Sequence, residues 1–216
     1  MKLYNSNLSP FASRARLAIY AKGLQVDILP PPGGLQTEQY RAINPIGRVP
    51  ALALDDGTVI PESEVIVEYL DEAFPQPPLL PSAAPARAKA RLLGRMVDLY
   101  LMPGMLVLFQ QAGVKERNPS AIADAIGNVK KGLGLIEHFI ENGSYAVGGR
   151  MSVADCALVP ILFFVTGMLP RMGEPAPFGH APKLARYWDA IAKDANAAKI
   201  LGEMKQALAE RMAKAS

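Results

Sequence analysis

Short apolar runs and stretches of helical spacing alternate along the first 76 residues. In chain order they predict a strand, a helix, a strand, a loop, two strands and a helix, at residues 2–5, 13–22, 26–29, 30–34, 51–54, 58–60 and 64–73. Asp56 and Gly57, placed between two apolar runs, indicate a β-hairpin. This half of the chain is therefore predicted to be an α/β unit of order β-α-β followed by β-β-α.

Beyond residue 85 the apolar positions recur with helical spacing and predict no strand. The predicted helices cover residues 86–113, 120–140, 153–169, 183–193 and 197–214. Pro103 lies inside the first of them, and because proline removes a backbone hydrogen bond and clashes with the preceding turn, we expect a kink there. Ser152 and Asp155 have the spacing of a capping box, which would start the third helix.

Five prolines separate the two patterns, at positions 75, 77, 78, 81 and 85. Such a composition is typical of a semi-rigid linker between domains. We therefore predict an α/β domain at residues 1–76, a linker at 77–85 and an all-α domain at 86–216.

Composition narrows the classes of function. The net charge is +3, and the 23 basic side chains are scattered along the chain, so we expect no nucleic-acid partner. The longest apolar stretch, 157–170, is shorter than the roughly 20 residues that span a bilayer, so we expect no membrane partner. No apolar run of signal-peptide length opens the chain, which predicts a cytoplasmic protein. One cysteine, Cys156, and two histidines predict no metal site.

Three sequence motifs in the first half of the chain lie at the ends of predicted strands and helices. They are Leu-Ser-Pro-Phe-Ala-Ser-Arg-Ala-Arg at 8–16, Asn-Pro-Ile-Gly-Arg-Val-Pro-Ala-Leu at 44–52 and Ile-Pro-Glu-Ser at 60–63. Together with the helical second half and the capping box, they resemble the cytosolic glutathione transferase superfamily, of the serine type, over essentially the whole chain. The resemblance implies a thioredoxin-like first domain, an all-α second domain that shapes a second-substrate site, and glutathione as co-substrate.

Ser9 stands between a strand end and a helix start, where unpaired N–H groups and about half a positive charge favour an anion. A free thiol has a pKa near 8.5, and lowering it by about two units, worth about 2.7 kcal/mol, makes it mostly thiolate at pH 7. From the residues alone, Ser9 is either the hydroxyl that does this or a turn residue or helix cap. The resemblance favours the catalytic hydroxyl, with Ser13 and then Ser6 as alternatives.

The resemblance also assigns parts of glutathione to residues of the first domain. It implies a cis Val49–Pro50 bond that presents the Val49 backbone to the cysteinyl part. Arg48 would reach the glycyl carboxylate, unless it is simply solvated. Ser63 would bind the γ-glutamyl carboxylate at a helix start, where it could equally be an ordinary cap, and Glu62 would bind the amine. The predicted glutathione contacts are Ser9, Phe11, Arg48, Val49, Pro50, Glu62 and Ser63.

A second-substrate pocket is expected from the kinked helix and the loop after Ser9. Its candidate residues are Phe11, Tyr100, Met105, Phe109 and Phe164. Each of them could instead belong to the core, because aromatic residues and methionine at helical spacing usually do. A pocket of this composition suits a small hydrophobic electrophile and tolerates several.

These features predict a glutathione transferase that activates the thiol for attack on a hydrophobic electrophile, as in detoxification. Conjugation, ether cleavage, dehalogenation and isomerisation share this first step, and no residue chooses among them. The alternative is a non-catalytic binding protein of the same fold. A glutaredoxin-like redox role is disfavoured because no cysteine lies near Ser9.

The charge pattern predicts a homodimer. Residues 49–86 contain seven acidic and no basic side chains, and four basic ones follow, at Arg87, Lys89, Arg91 and Arg95. A two-fold axis could place the acidic helix of one subunit against the basic helix of the other, because such interfaces are self-complementary. Pairing within one subunit, or plain solvation, is the alternative.

Overall fold

The computed structural model describes residues 1–215, which form two compact units. The first unit comprises Met1–Leu79 and the chain from Asp194 onward. Its elements are β1 (Lys2–Tyr4), α1 (Pro10–Ala21), β2 (Asp27–Leu29), α2 (Glu38–Ile43), β3 (Ala51–Ala53), β4 (Val59–Pro61), α3 (Ser63–Ala73) and, after the second unit, α9 (Ala195–Ala215). The predicted β-α-β, β-β-α order is confirmed, and α2 is an addition to it.

The sheet of the first unit has the strand order β2-β1-β3-β4. β1 runs parallel to β2 and antiparallel to β3, and β3 pairs with β4 in an antiparallel hairpin. Leu3 of β1 lies opposite Leu52 of β3, and both side chains are fully buried. The hairpin turns at Gly57, whose φ of 90° favours glycine, and Asp56 Oδ1 accepts the Thr58 N–H at 2.8 Å. The predicted hairpin is therefore confirmed.

Helix α9 packs on α1 within the first unit, whereas the sequence predicts the last helix as part of the all-α domain. The fully buried Arg16 of α1 donates to Glu203 Oε2 at 2.5 Å, to the Asn7 carbonyl at 3.1 Å and to Ser13 Oγ at 2.8 Å. The Tyr20 hydroxyl also donates to Glu203, at 3.0 Å. Burial and this hydrogen bond raise the pKa of Tyr20 to about 12.

The second unit, Leu80–Lys193, is all-helical among the residues described. Its α-helices are α4 (Ala84–Met96), α5 (Met102–Ala112), α6 (Pro119–Phe139), α7 (Val153–Met168) and α8 (Pro182–Ile191). A π-helical turn, Val97–Leu101, joins α4 to α5 just before Pro103. There the Met102 N–H bonds to the Val97 carbonyl. The disturbance expected at Pro103 therefore takes the form of a widened turn.

Helix α7 supplies much of the core of this unit. Asp155, fully buried, closes the predicted capping box: Oδ2 accepts the Ser152 N–H at 2.8 Å and the Ser152 hydroxyl at 2.7 Å, and Oδ1 accepts the Ala146 N–H at 2.8 Å. Burial raises the pKa of Asp155 to about 6, although these hydrogen bonds act to lower it.

By length and composition alone, two helical segments could cross a bilayer, Ala84–Ala112 and Val153–Met172. The second contains the whole apolar stretch at 157–170 and extends beyond it at both ends. Within the fold, 50% and 67% of their apolar windows are buried, so both segments contribute to the core of the helical unit.

Candidate functional site

A cavity of about 450 Å³ opens in the first unit, where α1, β3 and α3 begin. All the residues predicted to contact glutathione line it, namely Ser9, Phe11, Arg48, Val49, Pro50, Glu62 and Ser63. They come from three separate motifs, and the sheet order β1-β3-β4 brings the motifs together.

Ser9 both caps α1 and lines the cavity. Its Oγ accepts the Ala12 N–H at 3.2 Å, and the next residue, Pro10, has no N–H to be satisfied. A serine oxygen that accepts one bond still carries its own hydrogen. The Ser9 hydroxyl can therefore cap the helix and donate into the cavity at the same time.

The two alternatives to Ser9 differ in position. Ser13 is fully buried, and its Oγ accepts a hydrogen bond from Arg16, so it does not line the cavity. Ser6 does line the cavity, and its carbonyl accepts the Ser9 N–H at 2.9 Å. The structure thus brings Ser9 and Ser6, but not Ser13, to the predicted glutathione contacts.

The turn that enters β3 is held by α2. The Arg48 carbonyl accepts hydrogen bonds from the Tyr40 hydroxyl and from Asn44 Nδ2, both at 2.8 Å. The Tyr40 ring is buried and packs edge-on against Tyr4, with 5.6 Å between the centroids. The Val49–Pro50 bond that follows is cis, as the resemblance implies. These two hydrogen bonds fix the backbone of Arg48, so the exposed side chain of Arg48 extends from a rigid turn.

The start of α3 is open. Glu62 precedes it with a φ of 67°, a conformation that non-glycine residues seldom adopt. No side chain in the described chain caps the helix there, so backbone N–H groups of the first turn, that of Ser63 included, keep no intrahelical acceptor. Ser63 is nearly buried at the cavity. Uncapped N–H groups and the helix dipole together form a binding site for a carboxylate.

The sequence analysis named Ser6 only as an alternative to Ser9, and it missed six of the fourteen residues that line the cavity. The missed residues are Leu8, Leu35, Asn44, Ile46, Pro61 and Arg211. Leu8, Asn44, Ile46 and Pro61 lie inside the three motifs, so motif membership could have found them. Arg211 lies on α9 and carries no local signal.

The other predicted second-substrate residues lie in the second unit. The Phe109 and Phe164 rings meet edge-to-face, with centroids 5.0 Å apart. Met105 is fully buried, as a core residue is, whereas Tyr100 is 47% exposed in the π-helical turn. Their assignment to a pocket stays a prediction.

Comparison with known proteins identifies the family. The N-terminal domain model of glutathione S-transferases matches residues 3–78, and the C-terminal domain model matches residues 96–194. A maleylacetoacetate isomerase of Pseudomonas aeruginosa is 36% identical over 173 residues, which cover 76% of this chain and 80% of that protein. A stringent starvation protein A homolog of Coxiella burnetii is 29% identical over 187 residues, or 87% and 84% of the two chains.

A solved structure shows the same fold. A rice glutathione S-transferase in complex with glutathione superposes with a TM-score of 0.81 at 28% identity, over 95% of this chain and 93% of that one. The chain therefore belongs to the glutathione S-transferase superfamily of glutathione-dependent enzymes.

Proposed function

We propose that the protein binds glutathione in the 450 Å³ cavity and uses Ser9 to activate its thiol for attack on an apolar electrophile. The observation that carries this proposal is that two helix starts of opposite character, those of α1 and α3, border one cavity. The structural relative from rice, solved with glutathione, supports the choice of ligand.

Each charged part of glutathione has a partner in this pose. The γ-glutamyl carboxylate lies at the open start of α3 and accepts the Ser63 hydroxyl, while Glu62 takes the γ-glutamyl ammonium group. The backbone of Val49, beside Pro50, pairs with the cysteinyl part in the manner of an added strand. Arg48 takes the glycyl carboxylate. The thiol then lies beside Ser9.

Ser9 stabilises the thiolate by donating its hydroxyl hydrogen to the sulfur, while its oxygen keeps capping α1. The N-terminal dipole of α1 adds to this effect, and together they lower the thiol pKa. The thiol proton leaves to solvent, and the thiolate attacks the electrophile. Phe11 provides an apolar wall of the cavity for the electrophile.

The chemical outcome depends on the electrophile. The relative from Pseudomonas aeruginosa is named for an isomerisation, which supports that reaction as one to test beside conjugation. The second candidate function, glutathione-fold binding without turnover, draws support from the Coxiella burnetii relative, which is not named for a transferase activity.

Calorimetry with glutathione tests the binding half of the proposal. We expect a dissociation constant between micromolar and millimolar, about −4 to −8 kcal/mol. A panel of electrophiles, with chlorodinitrobenzene first, tests the catalytic half. Binding without turnover across the panel would favour the second candidate. An absence of binding at about 100 mM glutathione would contradict the transferase proposal, and the second candidate would then require another ligand.

We also propose a cytoplasmic homodimer. The acidic helix α3 carries an exposed valine, Val65, at 53% exposure, and α4 carries the exposed Arg87 and Arg95. An isologous interface would cover such an apolar side chain and pair the two charge types. Light scattering at working concentration should give twice the monomer mass, and a monomer mass would contradict the proposal.

A further inference from the structure

Arg211 is a cation of the cavity that the proposed glutathione pose leaves without a partner. It lines the same cavity as Ser9 and Ser63 but lies on α9, far from them in the sequence. Within residues 1–215 no carboxylate pairs with its guanidinium. We infer that Arg211 binds a carboxylate of the second substrate, so that the electrophile is an apolar compound carrying one negative charge. This inference rests on the proposed function.

Helix α9 is anchored to α1 through Glu203 and Lys199. Glu203 receives hydrogen bonds from the buried Arg16 and from Tyr20, and the Lys199 ammonium lies 3.6 Å from the centroid of the Tyr20 ring. Removing one partner of such a desolvated ion pair is strongly destabilising, so the pair keeps α9 on α1. Arg211 follows Glu203 by just over two turns, about 12 Å along the helix. Arg211 itself is exposed and extends from the end of this anchored helix to the cavity.

The charges of glutathione are already matched in the proposed pose. One carboxylate lies at the start of α3, the other at Arg48, and the ammonium group at Glu62. Arg211 is the positive group that remains, and a guanidinium binds a carboxylate through two parallel hydrogen bonds. The cavity lining outside the glutathione contacts includes the apolar side chains of Leu8, Leu35 and Ile46. This lining fits an apolar body that ends in a carboxylate.

A matched pair of electrophiles tests the inference, 4-chloro-3-nitrobenzoate and its methyl ester. In both, the thiolate attacks the carbon that bears chlorine, the C–S bond forms, and the C–Cl bond breaks. Chloride leaves with the bonding electrons, and the thiol proton goes to solvent. The variants are Arg211→Gln, Arg211→Lys and the control Lys205→Gln, which removes an exposed charge from the same helix outside the cavity. The value of kcat/KM is divided by the uncatalysed rate of each compound.

We expect Arg211→Gln to lower kcat/KM for the acid by about tenfold, as for the loss of a charge-assisted hydrogen bond. The ester should change by less than about twofold, which is within the effect of a surface substitution. Arg211→Lys should recover part of the loss, Lys205→Gln should match the parent, and KM for glutathione should hold. An equal loss for acid and ester with a raised KM for glutathione would place Arg211 on glutathione and overturn the inference. No loss for either compound would also overturn it.

Binding of the two product conjugates separates failure of the inference from failure of the proposed function. If the parent binds glutathione but converts neither electrophile, the transferase proposal fails, and calorimetry with the acid and ester conjugates then decides the role of Arg211. A dissociation constant about tenfold weaker in Arg211→Gln for the acid conjugate alone would support the inference. Equal changes for both conjugates would overturn it. If neither conjugate binds, the result contradicts both the proposed function and the inference about Arg211.

Discussion

The two helices that begin at the cavity, α1 and α3, start in opposite ways. At α1, Ser9 caps the first turn, because its Oγ accepts the Ala12 N–H, and Pro10 has no N–H. At α3, Glu62 has a left-handed backbone and, within the described chain, no side chain caps the turn. The first start therefore offers the cavity a single hydroxyl, and the second offers open backbone donors.

This difference suits two different tasks. A single hydroxyl acts on one atom, as thiol activation requires, and its cap also stabilises the helix. An open turn binds a carboxylate with several donors and contributes binding energy, whether or not chemistry follows. Substitutions at α1 should therefore change rate and stability together, whereas substitutions at α3 should change affinity.

The start of α7 does not line the cavity, so it serves as a purely structural reference for the starts of α1 and α3. A substitution there has the largest expected effect. The raised pKa of Asp155, about 6 against an ordinary 3.8, means that its contribution to stability is complete below about pH 3 and is lost as pH rises through 6. The free energy of unfolding of the parent, minus that of Asp155→Asn, should fall by about 3 kcal/mol from pH 3 to pH 7. Urea unfolding at both pH values measures it, and a constant difference would contradict the raised pKa.

Ser9→Ala should have the next largest effect, and on the rate. Losing about 2.7 kcal/mol of thiolate stabilisation lowers kcat about a hundredfold at pH 7, and the loss should shrink at higher pH because hydroxide then ionises the thiol. Loss of the cap should also lower stability by about 1 kcal/mol. Ser6→Ala is the matched control, since Ser6 lines the cavity without capping a helix. If Ser6→Ala lost the activity and Ser9→Ala kept it, the roles would be exchanged.

Ser63→Ala tests most directly whether the start of α3 contributes to affinity and not to rate. The lost hydrogen bond to a carboxylate should raise KM for glutathione about tenfold while kcat holds, the pattern of lost uniform binding. Stability should change little, because Ser63 is not the cap of α3. Steady-state kinetics and thermal unfolding measure both. An unchanged KM would remove Ser63 from the site.

The smallest effect concerns the left-handed backbone of Glu62. Glu62→Gly and Glu62→Ala both remove the carboxylate and should raise KM for glutathione equally. Glycine adopts a φ of 67° without penalty, so Glu62→Gly should be about 1 kcal/mol more stable than Glu62→Ala. Equal unfolding midpoints for the two variants would show that this backbone conformation is not strained.

Sequence patterns predicted most elements of the fold but not α2. This helix has six residues and buries only Tyr40, so it presents no repeated apolar spacing. Its role, holding the Arg48 carbonyl, depends on single hydrogen bonds that no periodicity shows. The sequence also predicted a kink at Pro103, but it did not predict that a π-helical turn would precede the proline. Packing decides which hydrogen bonds replace the one that proline removes.

The sequence by itself determined the short-range features: the hairpin, the capping box, the cap at Ser9 and the three motifs that line the cavity. Their geometry depends on residues only a few positions apart, so local chemistry suffices. Only the tertiary structure decided that Ser13 is buried and that α9 brings Arg211 to the cavity. Both depend on Arg16, whose partner Glu203 lies 187 residues away. A buried charge selects its partner by desolvation and distance in three dimensions, which one-dimensional spacing does not encode.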